Sequence, residues 1–166
     1  MLDSCCAFTG HRPHKLPWRY NESDSRCSAL KAALVRQITQ LVDAGVTDFY
    51  SGGADGVDYE KRKVMRSEVL DAAQERYHSI LEKADSVEYV SREYYDGCML
   101  DRNHRLIEAT GVLLAVYNGE WRGGTAATVR YARKLDRRII ILNPTTLEAA
   151  EEGGGVVSES IYSLSA

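Results

Sequence analysis

The chain has 166 residues, of which 21 are Lys or Arg and 24 are Asp or Glu, so its formal net charge is -3. A chain of this length is expected to form one domain and to hold a core without disulfides or a structural metal. The slight excess of acidic residues argues against a dedicated duplex-DNA binder, because that affinity depends on clustered positive charge.

Neither the cysteines nor the apolar runs indicate export or a membrane. The four cysteines form no C-x-x-C pair, and the first residues, MLDSCCAFTG, lack a basic region followed by an apolar stretch. The longest strongly apolar run, residues 112–116, is far shorter than the roughly 20 residues that cross a bilayer. We therefore expect a cytoplasmic protein with reduced thiols and no membrane partner.

Short apolar runs alternate with helical patterns along the chain, which is typical of an α/β fold. The predicted strands are 5–8, 47–50, 87–90, 112–117 and 139–142. Apolar stripes at helical spacing predict helices within 30–42, 69–84, 99–110 and 126–135. The sequence therefore predicts a Rossmann-like three-layer sandwich around a mostly parallel sheet of about five strands.

The composition changes after Pro144, where an acidic pair is followed by three glycines and scattered serines. We assign residues 1–145 to the Rossmann-like domain and interpret residues 146–166 as a flexible tail or docked arm. The alternative is that residues 156–164 add an edge strand or cover a groove.

Three glycine-bearing turns follow predicted strands, at the edge where open parallel sheets bind ligands. They occupy residues 9–13, 51–58 and 118–125. Glycine lets the backbone approach a ligand, and Gly123-Gly124-Thr125 at a helix start suits a phosphate, with Thr125 able to cap the helix and bind. One such turn alone would favour a plain strand-to-helix link, whereas three at one edge favour a pocket. Neither of the glycine patterns typical of dinucleotide and Walker sites is present.

Candidate side chains around these turns suit an anionic ligand. Arg12 and Arg102 offer bidentate contacts to phosphate, although either could be a solvated surface group. The candidate ligand-binding residues are Thr9, Gly10, Arg12, Ser51, Gly52, Gly53, Gly56, Asp58, Arg102, Asn103, Gly119, Gly123, Gly124 and Thr125. The aromatic residues able to stack on a base are Trp18, Tyr20, Tyr95, Tyr117 and Trp121.

Three carboxylates near the turns, Asp55, Asp58 and Glu120, are the catalytic candidates should the protein be an enzyme. At least one of the two aspartates is more simply explained as a helix N-cap. His11 and His14 have H-x-x-H spacing, but no cysteine or carboxylate nearby completes a metal set. We therefore predict no metal and no cofactor.

Five segments in order carry a family resemblance: TGHRPHKLPWRYNESD, SGGADGVD, the stretch from ERYHSI to RLIEAT, LLAVYNG with GGTAATVRYARKL, and IIILNP. Together they resemble the YpsA-like branch of the SLOG superfamily over residues 5–144. The resemblance implies a Rossmann-like domain, related to bacterial or phage proteins that handle nucleotides, and a homodimer. It also places ligand loops on most of the residues chosen above.

The chain departs from that family at two points. Phosphoribohydrolases of the superfamily carry a glutamate in a P-G-G-x-G-T-x-x-E segment, whereas Thr128 and Val129 stand near that position here. A strand found in relatives has no counterpart between residues 58 and 74. The first departure disfavours hydrolysis, and the second suggests a contracted sheet whose ligand groove is more open.

The leading hypothesis is a protein that binds a nucleotide or nucleotide-derived phosphorylated small molecule at the carboxyl edge of its sheet, for sensing or sequestering. An alternative is N-glycosidic hydrolysis of a nucleoside monophosphate, as in the phosphoribohydrolases. A second alternative is single-stranded DNA binding through a basic helix and its exit, although a solvated face explains those residues equally well. The basic residues concerned are Arg130, Arg133, Lys134, Arg137 and Arg138.

Overall fold

The computed structural model describes residues 2–52, 82–89 and 95–155, together with Ser79 and Glu93. Within these ranges one sheet has the order β2-β1-β3-β4-β5. The strands are β1 (Cys5–Gly10), β2 (Asp48–Ser51), β3 (Val112–Val116), β4 (Arg138–Leu142) and β5 (Ala149–Glu152). The first four are parallel and β5 runs antiparallel to β4. The predicted α/β fold with a mostly parallel five-stranded sheet is confirmed.

Three helices have complete bounds in the described part: α1 (Ser25–Asp43), α2 (Cys98–Glu108) and α3 (Gly124–Lys134). Asp24 starts α1 by accepting a hydrogen bond from the Arg26 amide at 2.8 Å. Gly45 follows the helix end with φ +96°, as expected of a left-handed C-terminal cap. No helix among the described residues is both long and apolar enough to cross a membrane.

The central strands are buried on both faces, which explains their uninterrupted apolar sequences. Cys6 and Leu114 pack with Leu41 of α1 on one face of the sheet. On the other face, Leu113 packs with residues of α2 and α3 such as Ile107 and Val129. These two clusters make the three layers of the sandwich.

The predicted strand at 87–90 is wrong for residues 87–89, which belong to no strand. Val87 and Tyr89 are 45% and 60% exposed, and Glu88 pairs with Arg105 of α2 at 2.8 Å. An apolar run becomes a strand only where a neighbouring strand and a covering layer are available, and these side chains are solvated instead. Val90 and most of the predicted helix 69–84 lie outside the described residues.

The fifth strand comes from the segment after Pro144. Arg138 binds Glu151 through Nε at 2.5 Å and Nη2 at 3.2 Å, and Arg133 binds Glu152 at 2.7 Å. Gly153 then turns the chain with φ +73°, and a Cβ there would lie 2.2 Å from the Arg137 carbonyl oxygen. Residues 149–152 are thus an edge strand, while residues 156–166 lie outside the described part.

Candidate functional site

The order of the strands in the sheet determines where a crevice for a ligand lies. From β1 the chain passes to β2 on one side, whereas β3 lies on the other side of β1. The carboxyl ends of β1 and β3 meet at this reversal, where Gly10 is paired with Val116. In open α/β sheets ligands bind outside the carboxyl ends of the strands at such a reversal. The residues that follow Gly10 and Val116 therefore define the candidate site.

Four side chains tie the loop after β1 to the loop after β3, and we call them the edge network: His11, Asn118, Glu120 and Lys15. His11 Nε2 lies 2.7 Å from Asn118 Oδ1. Asn118 Nδ2 donates to Glu120 Oε1 at 3.2 Å, and the Glu120 amide donates to Asn118 Oδ1 at 3.1 Å. Lys15 Nζ donates to Glu120 Oε2 at 2.5 Å. The network is a continuous polar chain across the sheet edge.

The network keeps Glu120 ionised. Hydrogen bonds from Lys15 and then Asn118 lower the pKa of the Glu120 carboxyl, and the charges of Lys15 and His11 act in the same direction. A catalytic role as a proton donor at neutral pH is therefore disfavoured for Glu120. A role as a fixed negative charge, or as an acceptor for water, remains compatible with this geometry.

The backbone conformation of the loop after β3 requires glycine at two positions. Gly119 and Gly123 have φ values of +90° and +107°, which an L side chain rarely adopts. Tyr117 is buried, and its hydroxyl donates to the Glu120 carbonyl. A Cβ on Gly123 would lie 3.5 Å from Lys15 Nζ, so the loops after β1 and β3 are in contact.

Thr125 does not cap α3, contrary to prediction. Gly123 is the N-cap residue and the helix begins at Gly124, so Thr125 lies in the first turn with 8% of its surface exposed. The helix begins two residues earlier than expected, because Gly123 adopts the positive-φ conformation at the cap. Amides of the first turn of any α-helix have no intrahelical acceptor, so Gly124 and Thr125 can contribute backbone N–H groups.

Two arginines lie at the carboxyl ends of β1 and β2. Arg12 follows His11 directly and is exposed, whereas Arg102 reaches from α2 and is half-buried. A Cβ on Gly52 would lie 2.9 Å from Arg102 Nε, so the arginine rests against the backbone that follows β2. Burial and then the positive charge of Arg12 lower the pKa of Arg102. Both groups thus raise the local positive potential at the sheet edge.

Several other candidate residues have structural roles. Asn103 accepts a hydrogen bond from Arg102 Nη2 at 3.0 Å, so this oxygen supports the arginine. Gly10 makes room for Val116, whose Cβ would lie 3.3 Å from a Cβ at position 10. Thr9 and Ser51 are the strand partners of Ala115 and Phe8 in the ladder. Four predicted residues lie outside the described part of the chain: Gly53, Asp55, Gly56 and Asp58.

The aromatic candidates divide into core and surface residues. Trp18 is 6% exposed and packs with Leu30 and Leu142, so it is a core residue. Trp121 is 76% exposed, and the Arg130 guanidinium lies 5.0 Å from its ring centroid. Tyr95 is partly exposed and donates its hydroxyl to a carboxylate of α2.

The other two sites considered are a metal site at the histidines and a nucleic-acid surface on the basic helix. Among the described residues no group of three or more His, Cys, Asp and Glu is placed to hold a metal ion. Of the basic residues proposed for single-stranded DNA, Arg133 and Arg138 form ion pairs with β5. Arg130 donates to the Trp121 carbonyl at 2.7 Å. Much of this charge is therefore matched within the chain.

Sequence reasoning missed the joint role of His11, Asn118 and Lys15. In the sequence, His11 has only the spacing of a metal ligand, and nothing singles out Asn118 or Lys15. The available signal was position, because His11 follows β1 and Asn118 follows Val116 and Tyr117 at the end of β3. That signal becomes informative only once β1 and β3 are known to be neighbours.

Two bacterial proteins are similar to this chain over most of its length. A UPF0398 protein of Halalkalibacterium halodurans is 25% identical over 168 residues, which cover 85% of this chain and 88% of that protein. A UPF0398 protein of Lysinibacillus sphaericus is 23% identical over 172 residues, which cover 87% of this chain and 96% of that protein. Neither name states a ligand or an activity. A scan against protein-family models found no match.

Proposed function

We propose that this protein binds a nucleotide or nucleotide-derived phosphorylated small molecule at the carboxyl edge of its sheet, in a sensing or sequestering role. The observation that carries the proposal is the placement of two arginines at neighbouring strand ends: Arg12 follows β1 at the strand reversal, and Arg102 rests against Gly52 at the end of β2. The resemblance of five segments to the YpsA-like branch of the SLOG superfamily supports the same ligand class.

The charges at this edge favour an anion. Burial and then the positive charge of Arg12 lower the pKa of Arg102, so the charged form of this guanidinium is destabilised at the edge. A phosphate beside Arg12 and Arg102 would relieve this destabilisation and accept planar, charge-assisted hydrogen bonds. The first-turn amides of α3 extend the positive potential along the edge toward Gly123, whereas the charge of Lys15 is offset by Glu120. A ligand with more than one anionic or polar group would engage both ends of this surface.

Hydrolysis of an N-glycosidic bond is the alternative use of the same site. Among the candidate acids, Glu120 is the one within the described residues, and it is ionised and bound by Lys15. An ionised carboxylate could stabilise an oxocarbenium-like charge or orient water. Chromatographic analysis of nucleoside monophosphates incubated with the protein tests this alternative, because hydrolysis would release the free base.

Thermal unfolding with a nucleotide panel tests the binding proposal. The panel comprises mononucleotides, cyclic nucleotides and ADP-ribose, each with the parent chain. A ligand at about 100 times its Kd stabilises the folded state by about 2.7 kcal/mol, or about 5–10 °C for a domain of this size.

The site is tested by matched arginine variants. Arg12→Ala removes a charge-assisted contact and should weaken binding by about 10- to 150-fold. Arg36→Ala on the exposed surface of α1 removes the same charge elsewhere and should leave binding unchanged. A parent chain unaffected by every member of the panel, or equal binding by both variants, would contradict the proposal.

A further inference from the structure

Trp121 is the most exposed large apolar side chain in the described part of the protein. It is 76% exposed, against 61% for Val35 and 60% for Tyr89. Large aromatic side chains stabilise a protein by being buried, as Trp18 is in the core. The indole of Trp121 therefore adds little to the stability of the fold.

The backbone on which Trp121 stands is nevertheless held at several points. The Arg130 guanidinium donates to the Trp121 carbonyl at 2.7 Å. The Tyr117 hydroxyl donates to the carbonyl of Glu120, and the Glu120 carboxylate is bound by Lys15. A ligand that contacts an exposed ring on such a loop has less conformational entropy to overcome, because the loop is already ordered.

One face of the indole can receive a ligand. The Arg130 guanidinium carbon lies over the ring, 5.0 Å from its centroid. A side chain that is 76% exposed cannot be covered on both faces, so the face opposite Arg130 is open among the described residues. Proteins commonly hold nucleobases by stacking them on exposed aromatic faces of this kind.

Trp121 belongs to the same sheet edge as Arg12. The Lys15 amide donates to the Arg12 carbonyl at 2.9 Å. Lys15 Nζ binds Glu120 Oε2 and lies 3.5 Å from the position of a Cβ on Gly123. Since Glu120 and Gly123 stand on either side of Trp121, one lysine connects the backbone at Arg12 to the loop that carries the indole. A nucleotide bound at this edge would bridge the two loops.

We propose that Trp121 stacks on the base of the ligand, so that the site takes complete nucleotides and discriminates against sugar phosphates that lack a base. This inference rests on the proposed function, because it assumes a phosphorylated ligand at Arg12. It narrows the ligand class and assigns recognition of the base to one side chain.

Titration calorimetry with two probes, AMP and ribose 5-phosphate, tests the inference. Both carry a phosphate on the same sugar, so the ratio of their affinities isolates the base. The parent chain should bind AMP about 5- to 150-fold more tightly than ribose 5-phosphate, as expected for one stacked base. Trp121→Ala should lower the affinity for AMP by that factor and leave the affinity for ribose 5-phosphate unchanged, so that the ratio falls to about one.

Two further variants separate stacking from structure. Trp121→Phe keeps a smaller ring and should retain part of the ratio. Tyr89→Ala removes an aromatic side chain that is 60% exposed and lies outside the three glycine-bearing turns, so the ratio should remain that of the parent. Thermal unfolding of each variant verifies that it is folded.

Tryptophan fluorescence reports the contact itself. The chain has two tryptophans, and Trp18 is buried, so AMP stacked on Trp121 should quench the exposed indole. Ribose 5-phosphate should not quench it. Quenching by AMP that persists in Trp121→Ala would place the base elsewhere and overturn the inference.

The outcomes distinguish the inference from the proposed function. AMP binding by the parent with a ratio that Trp121→Ala leaves unchanged would overturn the role of Trp121 and leave the proposed function standing. Equal affinity of the parent for both probes would have the same meaning. Absence of binding by both probes would overturn the proposed function, and this inference with it.

Discussion

The glycine that follows β5 offers a prediction that depends on the fold alone. Gly153 has φ +73°, and a Cβ there would lie 2.2 Å from the Arg137 carbonyl oxygen. Real Cβ atoms essentially never approach closer than 3.0 Å, so Gly153→Ala must move one backbone by about 0.8 Å, the difference between the two distances. That movement would pull β5 from β4.

Gly155→Ala is the matched control, because Gly155 has φ +70° but none of the described residues has an atom within 4 Å of its Cβ position. A left-handed conformation costs an L residue about 1–2 kcal/mol, and both variants incur this cost. Only Gly153→Ala adds the backbone clash, which costs a further 1–3 kcal/mol or so. Gly153→Ala should therefore lower the free energy of unfolding by about 2–5 kcal/mol, against about 1–2 kcal/mol for the control.

Urea unfolding followed by circular dichroism measures both values. Equal losses of unfolding free energy, within about 0.5 kcal/mol, would show that the Arg137 carbonyl does not pack against residue 153. Such a result would return residues 146–155 to the status of a loosely attached arm.

Three other predictions concern the site, a thiol and a helix cap. Gly52→Ala should displace Arg102 and weaken AMP binding about as much as Arg102→Ala does. Calorimetry of the double variant should then find no further loss of affinity. Fully additive losses would show that Gly52→Ala does not act through Arg102. Burial raises the pKa of the Cys6 thiol to about 11, so Cys6 should react with a thiol reagent at pH 8 only when the chain unfolds in urea. Peptide mapping separates Cys6 from the partly exposed Cys5, and rapid labelling of Cys6 itself in the folded chain would contradict its burial. Hydrogen bonds from Arg26 lower the pKa of Asp24 from 3.8 to about 2, so stability from this carboxylate is complete above pH 4 and is lost as pH falls through 2. Urea midpoints of the parent should fall across that window more than those of Asp24→Asn, and parallel profiles would contradict the prediction.

The central strands could be predicted from sequence because they are buried on both faces. β3 and β4 are nearly uninterrupted apolar runs, and such runs predict strands of a covered parallel sheet. β5 reads Ala-Ala-Glu-Glu, which has low strand propensity, and it is positioned by Arg133 and Arg138. Residues 87–89 carry strand-like side chains without the neighbours that would make them a strand. Local sequence could not show that residues 149–152 form a strand and residues 87–89 do not, because contacts with residues distant in the chain determine both outcomes.

The candidate site could be predicted in outline from the rule that ligands bind beyond strand ends. That rule led to the loops containing Arg12, Gly123 and Glu120. The contact between His11 and Asn118 could not be predicted, because it spans 107 residues and requires β1 and β3 to be adjacent. The burial of Thr125 likewise depends on where the helix axis lies on the sheet.

A crystal structure of the chain grown with AMP would show where the phosphate binds. We expect electron density for the phosphate within hydrogen-bonding distance of Arg12 and Arg102, beside the carboxyl end of β1. Density for the ligand in the separate hollow lined by Pro17, Arg26 and Pro144, with none beside Arg12 and Arg102, would contradict the proposed binding site.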